Sequence, residues 1–487
     1  MSIRDIPNSV ALPQSAQMKL RPNAVPAVRK RLNIQPYTKP TGAITSSQLI
    51  QFYVPARRNT MYDPQTMYLR GTITAQSPDA TATILNKNAF SLINRLQVYG
   101  QDSTLLEDIQ NYNDLCHAVM DIQMSREDKY ALSTMYGGND VVGNIPSGTV
   151  LSNALTNSVA DGTALGANIG ALKVQLGVTT TAVASLGDVI DNGVPQPSAV
   201  PDAGGLDFCI PVVSAFGLLA DTMIPIGWLN ADLRFDFYTE NPNTAFRNTT
   251  PAAATDYTLS NLELVVDTVE FDPASMAVVN QFAPVNGPLF CHASTYKNYS
   301  ASIPNGGQGF YSQLIPHRSL SVKQLLAVAH RATTNGYDSF ARVLPYGTNN
   351  LGLQLSIGGL KFPQKPIETY AEAFAELQKS QHSFNQLILN GSINRRQYYK
   401  FNADIAAVGT ELSCKPVLGF DLEIYDKKGS TIINGQNWTG LNVFIEGTLG
   451  NTGLAGAAGL ANALTAQYFV LYDVIYVIQD GTISVRF

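Results

Sequence analysis

Charge is scarce in this chain. Only 14% of its 487 residues are Asp, Glu, Lys or Arg, against about a quarter in an ordinary globular protein. A freely diffusing enzyme carries more, so the shortage points to a surface that other subunits cover or that packs into polar loops. Histidine is sparse as well. His117, His292, His317, His330 and His382 fall in no H-x-H or H-E-x-x-H spacing, so no metal site or catalytic dyad can be read from them. The four cysteines, Cys116, Cys209, Cys291 and Cys414, are far apart in apolar stretches; they fit neither a disulfide framework nor a zinc site, and read as small core residues. No apolar run approaches the roughly 18 residues that span a bilayer. The start, Met1-Ser2-Ile3-Arg4-Asp5, has no signal-peptide h-region, which leads us to expect a protein made and assembled inside a cell. No phosphate cradle is visible either: Gly306-Gly307-Gln308-Gly309 is most simply a hairpin turn.

What the chain does have is internal order. At 487 residues it exceeds the roughly 250 to 300 that one core supports, so at least two domains are expected. A three-part pattern occurs twice in the same sequence order. In the first part, Leu96-Gln97-Val98 leads past Gly100 into Ile109, Tyr112, Cys116 and Val119, which share one helical face. Leu353-Gln354-Leu355 leads past Gly358-Gly359 into Ile367, Tyr370, Phe374 and Leu377 at the same spacing. The second part is an alternating strand, Leu229, Leu233, Phe235 and Phe237, then Leu441, Val443, Ile445 and Leu449. The third is a closing apolar strand, Leu262 to Asp267 and then Phe469 to Asp473. Two copies of one β-rich unit follow, with the boundary near residue 285.

Residues 1–46 read as an extended arm, because prolines at 7, 13, 22, 26, 36 and 40 forbid helix and central strand. The arm is basic: Arg4, Lys19, Arg21, Arg29, Lys30, Arg31 and Lys39 oppose only Asp5, giving +6 and leaving −11 on the rest of a chain whose net charge is −5. Such a tail reaches a polyanion or a neighbouring subunit. The first unit, 47–285, opens with strands at 48–54 and at 67–74, where Met67, Leu69, Gly71 and Ile73 alternate with wetter residues, an antiparallel sandwich pattern. A Gly-, Ala-, Thr- and Ser-rich stretch at 137–205 is an insertion relative to the second half and is expected to project from the surface. Asp272-Pro273 should cap a helix over 274–282. The second unit, 286–487, supplies strands at 313–315, 321–329, 353–357, 419–425, 441–449, 468–478 and 482–487.

Few residues suggest chemistry. Cys116 and His117 are adjacent, but neighbours on a helix point about 100° apart, so a core or interface histidine is the simpler reading. Glu107-Asp108 and the pair Asp202 and Asp207 lack any binding-loop pattern and read as solvated or capping carboxylates. Trp228 and Trp438, each just before a Leu-Asn strand, suit a sandwich core or a subunit interface. The basic triplet Arg29-Lys30-Arg31 suits either phosphate neutralisation or an acidic face of a neighbour.

The stretch Phe208-Cys209-Ile210-Pro211, Ile224-Pro225-Ile226-Gly227-Trp228-Leu229 and Leu233-Arg234-Phe235-Asp236-Phe237 resembles the F-x-I-P, I-P-x-x-x-L and L-x-F motifs of double jelly-roll major capsid proteins. So does Leu92-Ile93-Asn94 to Tyr99-Gly100 followed by Glu107 to Asn113. The resemblance, to the capsid proteins of small icosahedral viruses such as tailless phages or polinton-like viruses, covers most of residues 47–487. It implies an all-β fold of two tandem jelly-roll sandwiches with short helices and an extended N-terminal arm. It also implies a structural role without catalysis or cofactor: homotrimers with pseudo-sixfold outlines that tile an icosahedral shell in the virion, with penton or minor capsid proteins as further partners. By the same analogy Lys19, Arg21, Arg29, Lys30 and Arg31 face the shell interior, near genome, inner membrane or another subunit. The second unit departs at the place of Ile210-Pro211, where it has Lys415-Pro416-Val417. A single jelly-roll shell protein with a projecting domain and a carbohydrate-binding or adhesin sandwich are the rival readings. The second of these would be expected to show a secretion signal and clustered exposed aromatics.

Overall fold

A computed structural model of the chain describes residues 27–38, 43–76, 83–85, 88–100, 103–137, 205–220, 222–248, 256–276, 288–304, 309–331, 342–346, 351–381, 393, 398, 415–424, 434–449 and 463–486. The first unit runs β1 (Ala27–Ile34), β2 (Ile44–Thr45), β3 (Leu49–Val54), β4 (Thr60–Gln76), β5 (Thr83–Leu85), β6 (Ile93–Tyr99), β7 (Leu105–Gln110), β8 (Leu206–Pro211), β9 (Leu233–Thr239), β10 (Phe246–Asn248) and β11 (Asp256–Phe271). The second runs β12 (Leu289–Ile303), β13 (Gly309–Ile315), β14 (Val322–Arg331), β15 (Leu353–Ile357), β16 (Leu360–Ile367), β17 (Leu418–Asp421), β18 (Val443–Leu449), β19 (Leu464–Gln479) and β20 (Thr482–Arg486).

The first unit stacks the sheet β1-β11-β4-β8 on the sheet β3-β9-β6-β7; the second stacks β12-β19-β14-β17 on β13-β18-β15-β16. If β2, the β5/β10 ribbon and β20 are set aside, the principal strands of each unit count off in the orders 1-8-3-6 and 2-7-4-5 in both halves. That interleaving is the jelly-roll path, and its recurrence confirms the internal repeat. β9 matches β18 and β11 matches β19, as the alternating and closing strands required.

Sequence period explains each layer. In β4, Met67, Leu69 and Ile73 are buried and Tyr68, Arg70 and Thr72 are not, and the register sets Leu69 beside Leu264 and Arg70 beside Glu263. Each buried aliphatic side chain contributes about 1.5–3 kcal/mol relative to leaving it in water. β18 repeats the arrangement with Val443, Ile445 and Leu449 inside.

Several expectations shift. Ile109 and Ile367, read as the first residues of helices, lie in the last two positions of β7 and β16 instead; the helices span Tyr112–Gln123 and Tyr370–Ser380. The second starts where Thr369 caps it, its Oγ1 accepting from the Glu372 N–H at 3.2 Å. Gly358-Gly359, at φ 58° and 90°, makes the tight two-residue turn that joins β15 to β16. Residues 27–34, expected in the arm, form β1, an edge strand on β11. Residues 273–276 are helical, with the Met276 N–H on the Asp272 carbonyl at 2.9 Å. Residues 277–282 of that expected helix, 138–204 of the insertion, Lys19, Arg21, Asp202, His382 and Cys414 lie outside the described residues.

Candidate assembly surfaces

The two units meet along a seam. β7, the edge of one first-unit sheet, runs beside β12, the edge of a second-unit sheet. The following helix, 112–123, crosses the outer face of β19 and β14: Asn111 Nδ2 donates to Gln467 at 3.0 Å, and His330 Nε2 lies 2.7 Å from Asp114 Oδ2. The turn after β8 closes a second contact, where Ala220 bridges Ala293 and the Phe216 ring lies 4.5 Å from that of Tyr476. The β19–β20 hairpin docks back on the first unit, with the Asn230 N–H on the Gly481 carbonyl at 2.8 Å.

The acids of this seam, Glu107, Asp108, Asp114 and Asp121, come from the first unit; Lys297, His330, Arg342 and Lys415 come from the second, and the first unit's own Arg95 and Lys129 also hold Asp108 and Asp121. Lys297 reaches Asp108 at 3.0 Å, Arg342 reaches Asp121 at 3.0 Å and Asp114 at 3.7 Å, and Lys415 reaches Asp121 at 3.2 Å. The Arg342 side chain is fully buried. Removing one member of such a buried set strands the others without water, whereas the intact set roughly repays its own desolvation. The seam is therefore specific before it is strong.

Glu107 and Asp108 correct the sequence reading, which expected solvated carboxylates. Both are buried. Glu107 accepts from the Ser214 and Thr295 hydroxyls and from the Ala215 N–H at 3.0 Å. Burial raises its pKa, and these donors offset only part of the effect. Burial also works to raise Asp108, but its bonds to Arg95 and Lys297 outweigh that and leave its pKa lowered. A raised carboxyl pKa is a mark of general acids, yet the contacts of Glu107 are donors fixed within the seam. Nothing in the sequence flagged Arg342 or Lys415, since each is an isolated cation whose partner is hundreds of residues away. Lys415 stands where the Ile-Pro of the first unit failed to recur, so that departure has a structural use.

The remaining candidates fall into place around the seam. Cys116 and His117 are buried in the 112–123 helix, and burial pushes the Cys116 thiol well above its usual range. Trp438 is fully buried and Trp228 is half-buried. Asp207 accepts from the Thr72 hydroxyl at 2.6 Å. Among the described residues, no group of three His, Cys, Asp or Glu side chains could hold a metal.

The outer face of the first unit is different: it is open and charged. Arg29 pairs with Asp267 at 2.6 Å and lies 3.7 Å from Asp63; Lys30 pairs with Glu270; Arg31 bonds the Tyr68 hydroxyl and lies over its ring. Arg70 holds Glu263 at 2.6 Å. The acidic partners of the basic triplet thus belong to its own chain, and Arg29 and Lys30 remain more than half exposed. A cleft of about 730 Å³ opens on the same face, lined by Arg70, Thr72, Asp207, Cys209, Asn261 and Glu263 among others.

No family model and no curated protein matches the chain. Solved structures do. The capsid of PBCV-1 superposes with a TM-score of 0.56 at 11% identity, over 96% of this chain and 99% of that one. The Faustovirus major capsid protein gives 0.53 at 10% identity over 98% and 94%. The mavirus major capsid protein gives 0.50 at 12% identity over 100% and 95%. The fold is a double jelly roll. These neighbours are viral capsid proteins, and they match both units together, which sets aside a single jelly roll with an unrelated appendage.

Proposed function

We propose that this chain is the major capsid protein of an icosahedral virus, located in the virion, and that it self-associates as trimers which tile the shell. One observation carries the reading. Within a single chain the two equivalent units meet head to tail, through non-equivalent faces, so among the described residues the matching faces at the two ends stay open. Heterologous contacts of this kind propagate from copy to copy until they close a ring. The capsid proteins named above, with the same two-unit layout, support the shell as the end product. The low charge of the chain fits a surface that assembly covers. Lys19 and Arg21, on the segment ahead of β1, are the residues we assign to the shell interior, against genome, inner membrane or a minor capsid protein. Arg29, Lys30 and Arg31, by contrast, hold β1 to its own sheet.

Light scattering with electron microscopy of the purified chain tests this. The expected particle has three times the 52.5 kDa mass of one chain, or is a closed shell of such particles. A protein that stays at one chain at every concentration would refute the proposal. Deleting residues 1–26 should lower particle yield and leave the trimer intact, whereas deleting 1–46 also removes β1 and β2 and should unfold the first unit.

A further inference from the structure

The covered seam within the chain serves as a template for the surfaces left open. Asp267 and Asp473 close corresponding strands, and they pair with Arg31 of β1 and Ser294 of β12. On that register Lys30 and Leu32 correspond to Ala293 and Thr295. Ala293 and Thr295 are 6% and 1% exposed, covered by Ala220 and Glu107 of the first unit. Lys30, in contrast, is exposed, as are all of the first five residues of β1.

The covering segment also has an uncovered twin. Ile109 pairs with Leu96, and Ile367 with Leu353, so Leu106 and Glu107 of β7 correspond to Gln364 and Lys365 of β16. The first pair is buried and the second exposed. In the helices, counting from Tyr112 and Tyr370, Asp114 and Asp121 correspond to Glu372 and Lys379. The acids are each 4% exposed, whereas Lys379 is open to solvent and Glu372 is partly so. Finally, the cleft lies where the second unit carries its helical cover, because Asn261 is the counterpart of Gln467, the residue that Asn111 bonds.

We propose that the free edge of β1, with the cleft beside it, receives β16 and the 370–380 helix of a second copy of this chain. The proposal rests on the self-association argued above and assigns it to named surfaces. β16 lies along β1 as β7 lies along β12, and the helix crosses β11 and β4 as its twin crosses β19 and β14. The contact covers Leu360, which is 78% exposed, together with Val28, at 58%. Both surfaces carry mixed charge: Lys361, Lys365 and Lys379 stand beside Glu446, Glu368 and Glu376 of their own unit, and Asp63, Glu263, Asp267 and Glu270 beside Arg29, Arg70 and Lys30, so docking exchanges partners between existing ion pairs. Each chain offers one donor corner and one receiving edge.

The double variant Lys30→Cys/Gln364→Cys, oxidised and run on a non-reducing gel beside wild type and each single variant, tests the junction while light scattering reports the mass in solution. The expected result is an interchain ladder from the double variant alone, ending at three chains. Leu32→Cys/Lys365→Cys, one step further along the same strands, should give the same ladder. A three-chain particle with no interchain bond from either pair would overturn the junction and leave the trimer standing, as would bonds formed equally well by a single variant. A single-chain mass throughout overturns both the junction and the trimer. A ladder that runs past three chains supports the junction and overturns the closed trimer.

Discussion

The same sheet face is dry in one unit and wet in the other. In the second unit, the outer face of β14 and β19 presents Leu326, Val328 and Phe469, all of them buried, between the start of the 112–123 helix, which reaches Gln467 and His330, and the unit's own 370–380 helix, which reaches Gln324. In the first unit, the corresponding face of β1, β11 and β4 presents Arg29, Arg31, Asp267, Glu263 and Arg70, in pairs that remain partly in water. Strand order is shared, so strand order does not set this difference; the helices laid over the face do, one from the neighbouring unit and one from the same unit. A face always covered by the same chain can be built as a core. A face that stays bare until another copy arrives needs charge to keep the free chain soluble.

The largest expected effect is on the covered side. Arg342→Ala takes the fully buried cation from between Asp114 and Asp121, leaving His330 on the first and Lys129 and Lys415 on the second, and should cost about 3 kcal/mol in chemical denaturation. Its nearest analogue on the open side, Arg29→Ala, should cost no more than about 1 kcal/mol. Equal losses would erase the contrast.

Acid should act next. His317, buried against Tyr299, Tyr472 and Trp438, has its pKa lowered to about 4 from 6.5, mainly by burial and then by the charge of Lys297. The folded value lies below the unfolded one, so the unfolded chain binds the proton more readily. Stability is therefore lost as pH falls from about 6.5 towards 4, by roughly 3 kcal/mol over the whole window. His317→Gln should flatten this limb of the stability curve, and an unchanged slope would show that the histidine is not the titrating group. Glu107 works in the opposite sense. Its folded pKa is raised, so the folded chain holds the proton more tightly and stability falls as pH rises above 4.5. Glu107→Gln removes that dependence at a cost of about 1–3 kcal/mol, read as a gain relative to wild type between acid and neutral pH.

Strand identities and their order in the fold were legible wherever one face is apolar. Leu233, Phe235 and Phe237, and their partners Val443, Ile445 and Leu449, announced β9 and β18 by period alone. β16 was not legible, because Leu360-Lys361-Phe362-Pro363-Gln364-Lys365-Pro366-Ile367 is largely exposed and has no alternation; only the Gly358-Gly359 turn signalled it. β12 hid for the opposite reason, its 15 residues being covered in part by the other unit, which blurs a period of two. The seam was the least legible feature of all. Glu107 looks like any surface acid until Thr295, 188 positions away, is brought against it, and short-range pattern carries no trace of such a pairing.

Imaging of the purified, soluble chain by electron cryomicroscopy is the most direct test of whether one jelly-roll junction, used once within the chain, is used again between chains. The account predicts a three-chain particle of six similar lobes, with β1 of each copy lying against β16 of the next. A particle in which like faces pair about a twofold axis, or in which β1 stands free in solvent, would contradict it.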